Sequence, residues 1–184
     1  WENLGEQGLQ WPIKEGGVDT QIMHLEQFAR GKGHFHYFDW KESNELVTNG
    51  KEFPFILTTG RILEHYNCGT MTRRTGNEQI VSKDLLAINP VDAKAKSIST
   101  GDTVKLFSAR GEVELEANVT DEVKPGILYT TFHFPEAMVN NVTGPGCDSD
   151  TLCPEYKVVA ADVVKVPSEK RRKKELHLWA EKTV

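Results

Sequence analysis

From Thr103 to Val119 the chain reads TVKLFSARGEVELEANV. Val104 and Leu106 alternate with polar neighbours. Arg110 and Gly111 then turn the chain, and Val113, Leu115, Ala117 and Val119 alternate again. Strand side chains point to opposite faces with a period of two, so this pattern predicts a β-hairpin with one buried face. A helix would need its apolar positions three and four apart.

Other runs of strand length sit at regular spacing around the hairpin. FPFILTT (53–59) is a continuous apolar run, expected to be buried on both faces. Pro125-Gly126 turns the chain into a strand over 127–134, and EYKVVAADVVKV (155–166) gives a last one, closed by Pro167. Between them Asn89 can cap, and Pro90 fills the first position of, a short helix reaching about Ser97. Short strands with little helix between them predict a mainly β protein, a closed barrel or a sandwich.

At 184 residues the chain is long enough for one packed domain with appendages. Residues 1–50, with many glycines and the scattered aromatics of GKGHFHYFDW, read as an extended arm or linker; 51–167 form the compact part. Residues 168–184 carry six Lys or Arg and three Glu, and Leu176, Leu178 and Trp179 fall near one side of an amphipathic terminal helix. With that tail at +3 and the whole chain at −5, the rest stands at −8, a poor general binder of nucleic acid. No apolar run approaches the ~20 residues of a membrane span. The start, WENLGEQGLQWPIKEGG, lacks a basic segment followed by an apolar one, so no signal peptide is expected; with Trp1 in place of Met, the expectation is a piece of something longer. Cys68, Cys147 and Cys153 make an odd number with no C-x-x-C pair, which argues against a disulfide framework and a zinc site, and predicts a reducing, cytoplasmic setting.

Polar residues concentrate in three places. After the strand at 53–59 come Gly60, which frees the backbone for close approach, and Arg61, a forked donor suited to phosphate or carboxylate. His65, Asn67, Thr70 and Thr72 add donors and acceptors, and Gly69 lets backbone amides gather as an anion nest. The bland alternative is an ordinary loop whose His and Arg satisfy local carbonyls. TTFHFPEAMVNNVTGP places His133 beside Asn140, Asn141 and Thr143, amides able to read the edge of a nitrogen-rich ring. TLCPEYKVV sets Tyr156 and Lys157 before the last strand, and Asp148 and Asp150 read as turn acids, too few in ligands for a calcium loop.

FPFILTTGRILEHYNCGTMTRR, then AINPVDAKAKSISTGDTVKLFSARGEVELEANVTDEVKPGILYTTFHFPEAMVNNVTG, then CPEYKVVAADVVKV, together resemble the C-terminal molybdopterin-dinucleotide-binding domain of molybdenum or tungsten oxidoreductases. The pattern is most similar to the alpha subunit of formate dehydrogenase, over roughly 50–166. T-T-G-R-x-x-x-H-Y combined with P-E-Y-K carries it, and LQWPI and GKGHFH are loosely similar upstream.

The resemblance implies a six-stranded double-psi β-barrel that encloses one face of a bis-(molybdopterin guanine dinucleotide) cofactor. By motif position, Gly60, Arg61, His65, Asn67, Met71 and Thr72 would line the pterin and its phosphates. Asn140 would reach it from the second loop with Phe132 and His133 beside it, and Tyr156 and Lys157 would complete the pocket. Three positions depart from the pattern: Gly144, where Asn is frequent, Cys153 and Cys68. The metal ligand and the iron–sulfur motif belong to other domains of such enzymes, so the chain alone is expected to be inactive, with the remaining domains or subunits of the oxidoreductase as its partners. The alternatives are a nitrate reductase-type domain and a barrel that binds a partner chain without cofactor.

Overall fold

The structure, a computed structural model, describes residues 8–11, 13, 22–24, 26–28, 30–148 and 150–167. The basic tail expected to be helical lies outside them. Two compact units appear, 1–41 and 42–184. In the first, residues 33–40 form neither helix nor strand, and Phe35, Tyr37, Phe38 and Trp40 stand exposed.

The second unit is a closed six-stranded barrel: β1 (Phe55–Gly60), β2 (Leu85–Ile88), β3 (Thr103–Ser108), β4 (Glu112–Val119), β5 (Ile127–Thr131) and β6 (Val159–Lys165), in the spatial order β1-β5-β2-β4-β3-β6. It is a double-psi β-barrel. Among the described residues three short α-helices accompany it: α1 (Asn44–Asn49), α2 (Asn77–Ile80) and α3 (Pro90–Ala95). The arm expected over 1–50 therefore ends earlier. Ser43 caps α1 by accepting from the Glu45 amide, and the helix packs on β6 within the barrel unit.

The hairpin forms where the alternation places it, Val104 paired with Leu115 and Leu106 with Val113, all facing the core. Leu57, Leu86, Ile88, Leu128, Val159 and Val163 belong to the same core, each contributing roughly 1.5–3 kcal/mol by leaving water. In β1 the burial alternates, with Ile56 and Thr58 only half-buried, so one face of this strand meets the interior and the expectation of two fails. A closed barrel has a single inside, which is the physical reason. The short β2, only LLAI, had no periodicity long enough to read. α3 starts as expected: the Asn89 side chain accepts from the Val91 amide at 2.9 Å and Pro90 occupies the first turn.

Pairing fixes the direction of every strand. β1 runs parallel to β5, β2 parallel to β4, and the remaining neighbours are antiparallel. Odd-numbered strands thus run one way and even-numbered strands the other. Every connection from an odd strand to the next even one, 61–84, 109–111 and 132–158, consequently leaves the barrel at the same end.

Candidate functional site

The three polar loops picked out by sequence share that end of the barrel, and the core itself turns polar beneath them, with Thr59, Ser108, Thr130, Thr131 and Asp84 buried. Gly60 closes β1 against Tyr129, where a Cβ would collide with the phenol ring and its hydroxyl. That hydroxyl donates to the Arg61 carbonyl at 3.2 Å, and burial pushes the Tyr129 phenol up from its ordinary range.

In the first loop Arg61 is exposed. Its Nε and Nη2 donate to the Asn67 side-chain oxygen at 3.2 and 3.0 Å, and its guanidinium lies 5.2 Å from the centre of the Phe132 ring. Asn67 adopts the left-handed region at φ 48°, which Asn tolerates better than most residues. Met71 is exposed.

His65 is buried and faces inward on its own loop. One ring nitrogen meets the Thr72 hydroxyl at 2.9 Å and the other donates to the Val81 carbonyl at 2.8 Å, while the Tyr66 amide donates to the same hydroxyl. His133 is fully buried, donates through Nδ1 to the Asn67 carbonyl and accepts at Nε2 from the Ile62 amide at 3.2 Å. His65, Thr72 and His133 therefore give the loops their shape, as in the bland reading of the sequence. Arg61, Asn67, Met71 and Phe132 form the outer layer.

Asn140 is exposed in the second loop, between the buried anchors Val139 and Val142. In the third, Tyr156 is half-exposed, and its carbonyl accepts from the Thr59 hydroxyl at 3.0 Å; Lys157 Nζ donates to the Thr59 carbonyl. The Tyr156–Lys157 segment is thus clamped across the end of β1, beside Gly60 and Arg61. Asp148 is a turn acid, accepting from the Asp150 and Thr151 amides at 3.0 and 2.7 Å.

Residues 55–160, more than half the chain, match the family described as Molydopterin dinucleotide binding domain. The chain belongs to the molydopterin dinucleotide binding domain family. The matched residues include all three loops. It is 41% identical to the F420-dependent formate dehydrogenase 2 subunit alpha of Methanococcus maripaludis and 38% identical to the F420-dependent formate dehydrogenase subunit alpha of Methanocaldococcus jannaschii, each over 170 residues. Those alignments take in 90% of this chain and 25% of either relative, so the chain spans about a quarter of their length. Acetylene hydratase from Pelobacter acetylenicus shares the fold, with a TM-score of 0.56 and 16% identity over 64% of this chain and 19% of that one. No helix among the described residues is long and apolar enough to cross a membrane.

This end of the barrel also rests on residues that sequence reasoning missed. Asp84 is buried and accepts three bonds: from the Thr131 hydroxyl, from the His133 amide at 3.2 Å and from the Phe134 amide at 3.1 Å. Arg73 donates twice to Glu136, at 3.1 and 2.8 Å, and lies 4.9 Å from the centre of the Phe134 ring, tying the first loop to the second. That paired bond holds the Glu136 carboxyl below the usual carboxylate range. Both partners of each pair lie far apart in sequence, and Ser-Lys-Asp before β2 looks like any turn, so no local signal could have found them.

Proposed function

We propose that this chain is the domain of a formate dehydrogenase-like oxidoreductase that holds a bis-(molybdopterin guanine dinucleotide) cofactor, with molybdenum or tungsten bound by a ligand from another part of the enzyme. The observation that carries this reading is the gathering of three loops, one from the connection 61–84 and two from 132–158, at one barrel end with Arg61, Asn67, Asn140 and Lys157 on their outer side. The donor set fits the group. Arg61 offers Nη1, without a hydrogen-bond partner among the described residues, to a pyrophosphate, and Lys157 adds a second cation at the same strand end. Side-chain amides of Asn67 and Asn140 suit the ring edges of a pterin or guanine, which present donors and acceptors together. When bound, the metal with its two pterins supplies two-electron redox chemistry, taking formate to carbon dioxide in the whole enzyme. This chain's residues bind and orient; the remaining domains or subunits supply substrate contacts and electron transfer. The two formate dehydrogenase relatives support that substrate, and three free cysteines support a reducing, cytoplasmic setting.

Calorimetry of the 184-residue chain with GDP tests the reading, with Arg61→Ala as control. Weak but measurable binding that Arg61→Ala lowers about tenfold to thirtyfold is expected, without turnover of formate. No GDP binding by the unmodified chain, together with firm binding to a protein partner, would replace this reading with a cofactor-free interaction module.

A further inference from the structure

A short helix that lies before the family match is tied to the turn beneath the second site loop and to the end of the third. Glu45 of α1 has a side chain only 9% exposed. Its Oε1 accepts from Arg110 Nη1 at 2.9 Å and from the Ala160 amide at 3.1 Å; its Oε2 accepts from Arg110 Nη2 and from Asn49 Nδ2 at 3.2 Å.

Arg110 sits in the turn between β3 and β4, and its guanidinium lies directly against Gly144. A Cβ on residue 144 would come within 2.6 Å of Nη2 and 3.0 Å of Cζ. In the same turn, Gly111 lies so near the Asn141 carbonyl that a Cβ there would stand 2.9 Å from it, and the Ser108 hydroxyl donates to the Val142 carbonyl at 2.8 Å. The Asn140–Gly144 segment therefore rests on the 108–111 turn at three points, one of them a guanidinium held in place by Glu45. On its other side, α1 touches the third loop. The Ala160 amide bonded to Glu45 stands three residues beyond Lys157, and the Ser43 hydroxyl donates to Glu155 Oε2 at 3.1 Å. Glycine at 144 has a physical reason here: a Cβ would press on the Arg110 guanidinium that Glu45 holds in place.

We propose that α1 acts as a spacer setting the separation of the second and third site loops, and that Glu45 is a positioning residue for the cofactor grip, acting through Arg110 on Asn140 and through Ala160 on Tyr156 and Lys157. The grip itself rests on the cofactor reading above; the spacing does not.

Glu45→Gln tests it, since Gln keeps the size and one acceptor oxygen but turns an amide donor toward a guanidinium that has only donors. In the 184-residue chain this variant is expected to move the backbone amide resonances of Asn140, Asn141, Gly144, Tyr156 and Lys157, and to leave those of Gly101 and Gly126 at the opposite end in place. GDP affinity is expected to fall about fivefold to tenfold, within the range of coupling between contacting groups. Gly144→Ala, which leaves Glu45 intact, should reproduce the shifts at 140–144 and the weaker binding; it decides the matter if Glu45→Gln does not fold. Loop resonances that stay put in a folded variant, or loops that move with GDP affinity unchanged, overturn the proposal. Absence of GDP binding by the unmodified chain would sink the cofactor reading alone, and the resonances would then decide the spacing.

Discussion

The two ends of this barrel solve the same problem with opposite results. At the far end, connections 89–102 and 120–126 turn their polar side chains back on their own backbone: Asn89 donates to the Val123 carbonyl at 2.7 Å, Asp92 accepts from the Gly126 amide at 2.7 Å, Asp102 accepts from the Ser99 amide at 2.8 Å and the Thr100 hydroxyl accepts from the Val119 amide at 3.0 Å. At the site end Asp84, His65 and His133 do the same in an inner layer, but the loops are longer and a second, outer layer remains. A loop that must both keep its shape and present donors to a ligand needs two sets of polar residues; a loop that only closes the fold needs one. The far end also has a groove, lined by Pro90, Ala93, Lys94 and Ser97, but it lacks a converging set of cations and amides.

The comparison would break most visibly at Asp84. Asp84→Ala leaves a hydroxyl and two amides buried without acceptors, so it is expected to lower stability by roughly 3 kcal/mol or more, about 1–3 for each unmet donor. Denaturant melts measure this directly. A loss under about 1 kcal/mol would mean that the inner layer does not hold the site end together.

Arg61→Ala probes the outer layer and should act on binding alone. GDP affinity is expected to fall about tenfold to thirtyfold, on the order of 2 kcal/mol for a charge-assisted contact, while the melting midpoint stays within the small range of exposed substitutions. A large drop in stability would move Arg61 into the inner layer.

These layers explain what could be read in advance. The hairpin, the helix at Pro90 and the position of all three loops follow from local pattern, because alternation and capping are properties of neighbouring residues. The strand from Ile127 was expected to run to Phe134 but ends at Thr131, since the His133 and Phe134 amides donate to Asp84 and not to a neighbouring strand. The strand expected over 155–166 begins only at Val159, because Tyr156 and Lys157 are clamped to Thr59. Both misjudged boundaries fall where a loop meets a partner distant in sequence, and no period in the sequence encodes such a partner. Likewise, composition put His65 and Arg61 in the same loop; only the distances to Thr72 and Val81 separate the brace from the donor.

Asn89→Ala carries the comparison to the far end. Loss of the α3 cap is expected to cost about 1 kcal/mol in a thermal or denaturant melt, with GDP affinity unaltered. Weakened nucleotide binding would show that the two ends are coupled through the barrel.

The smallest effect distinguishes the two carboxylate pairs that tie each end. The Arg110 guanidinium hydrogen-bonded to Glu45 holds that carboxyl below its usual range, and Lys165, 2.6 Å away, does the same for Asp102 at the far end. A carboxyl with a lowered folded pKa contributes stability that is fully present above its unfolded value, about 4, and is lost as pH falls through the folded value. Stability should therefore be flat in these two pairs above about pH 5 and decline below about pH 4. Asp102→Asn and Glu45→Gln should each shrink that acid-side decline. The pairs differ in exposure: Lys165 and Asp102 side chains are 45% and 23% exposed, Arg110 and Glu45 22% and 9%. Salt screens exposed charges far more than buried ones, so molar sodium chloride should remove the Lys165 share of the Asp102 contribution, leaving that of the Ser99 amide, and leave most of that from Glu45. Equal sensitivity of the two variants to salt would mean that α1 lies open to solvent, and the contrast between a tied site end and a self-contained far end would lose its electrostatic half.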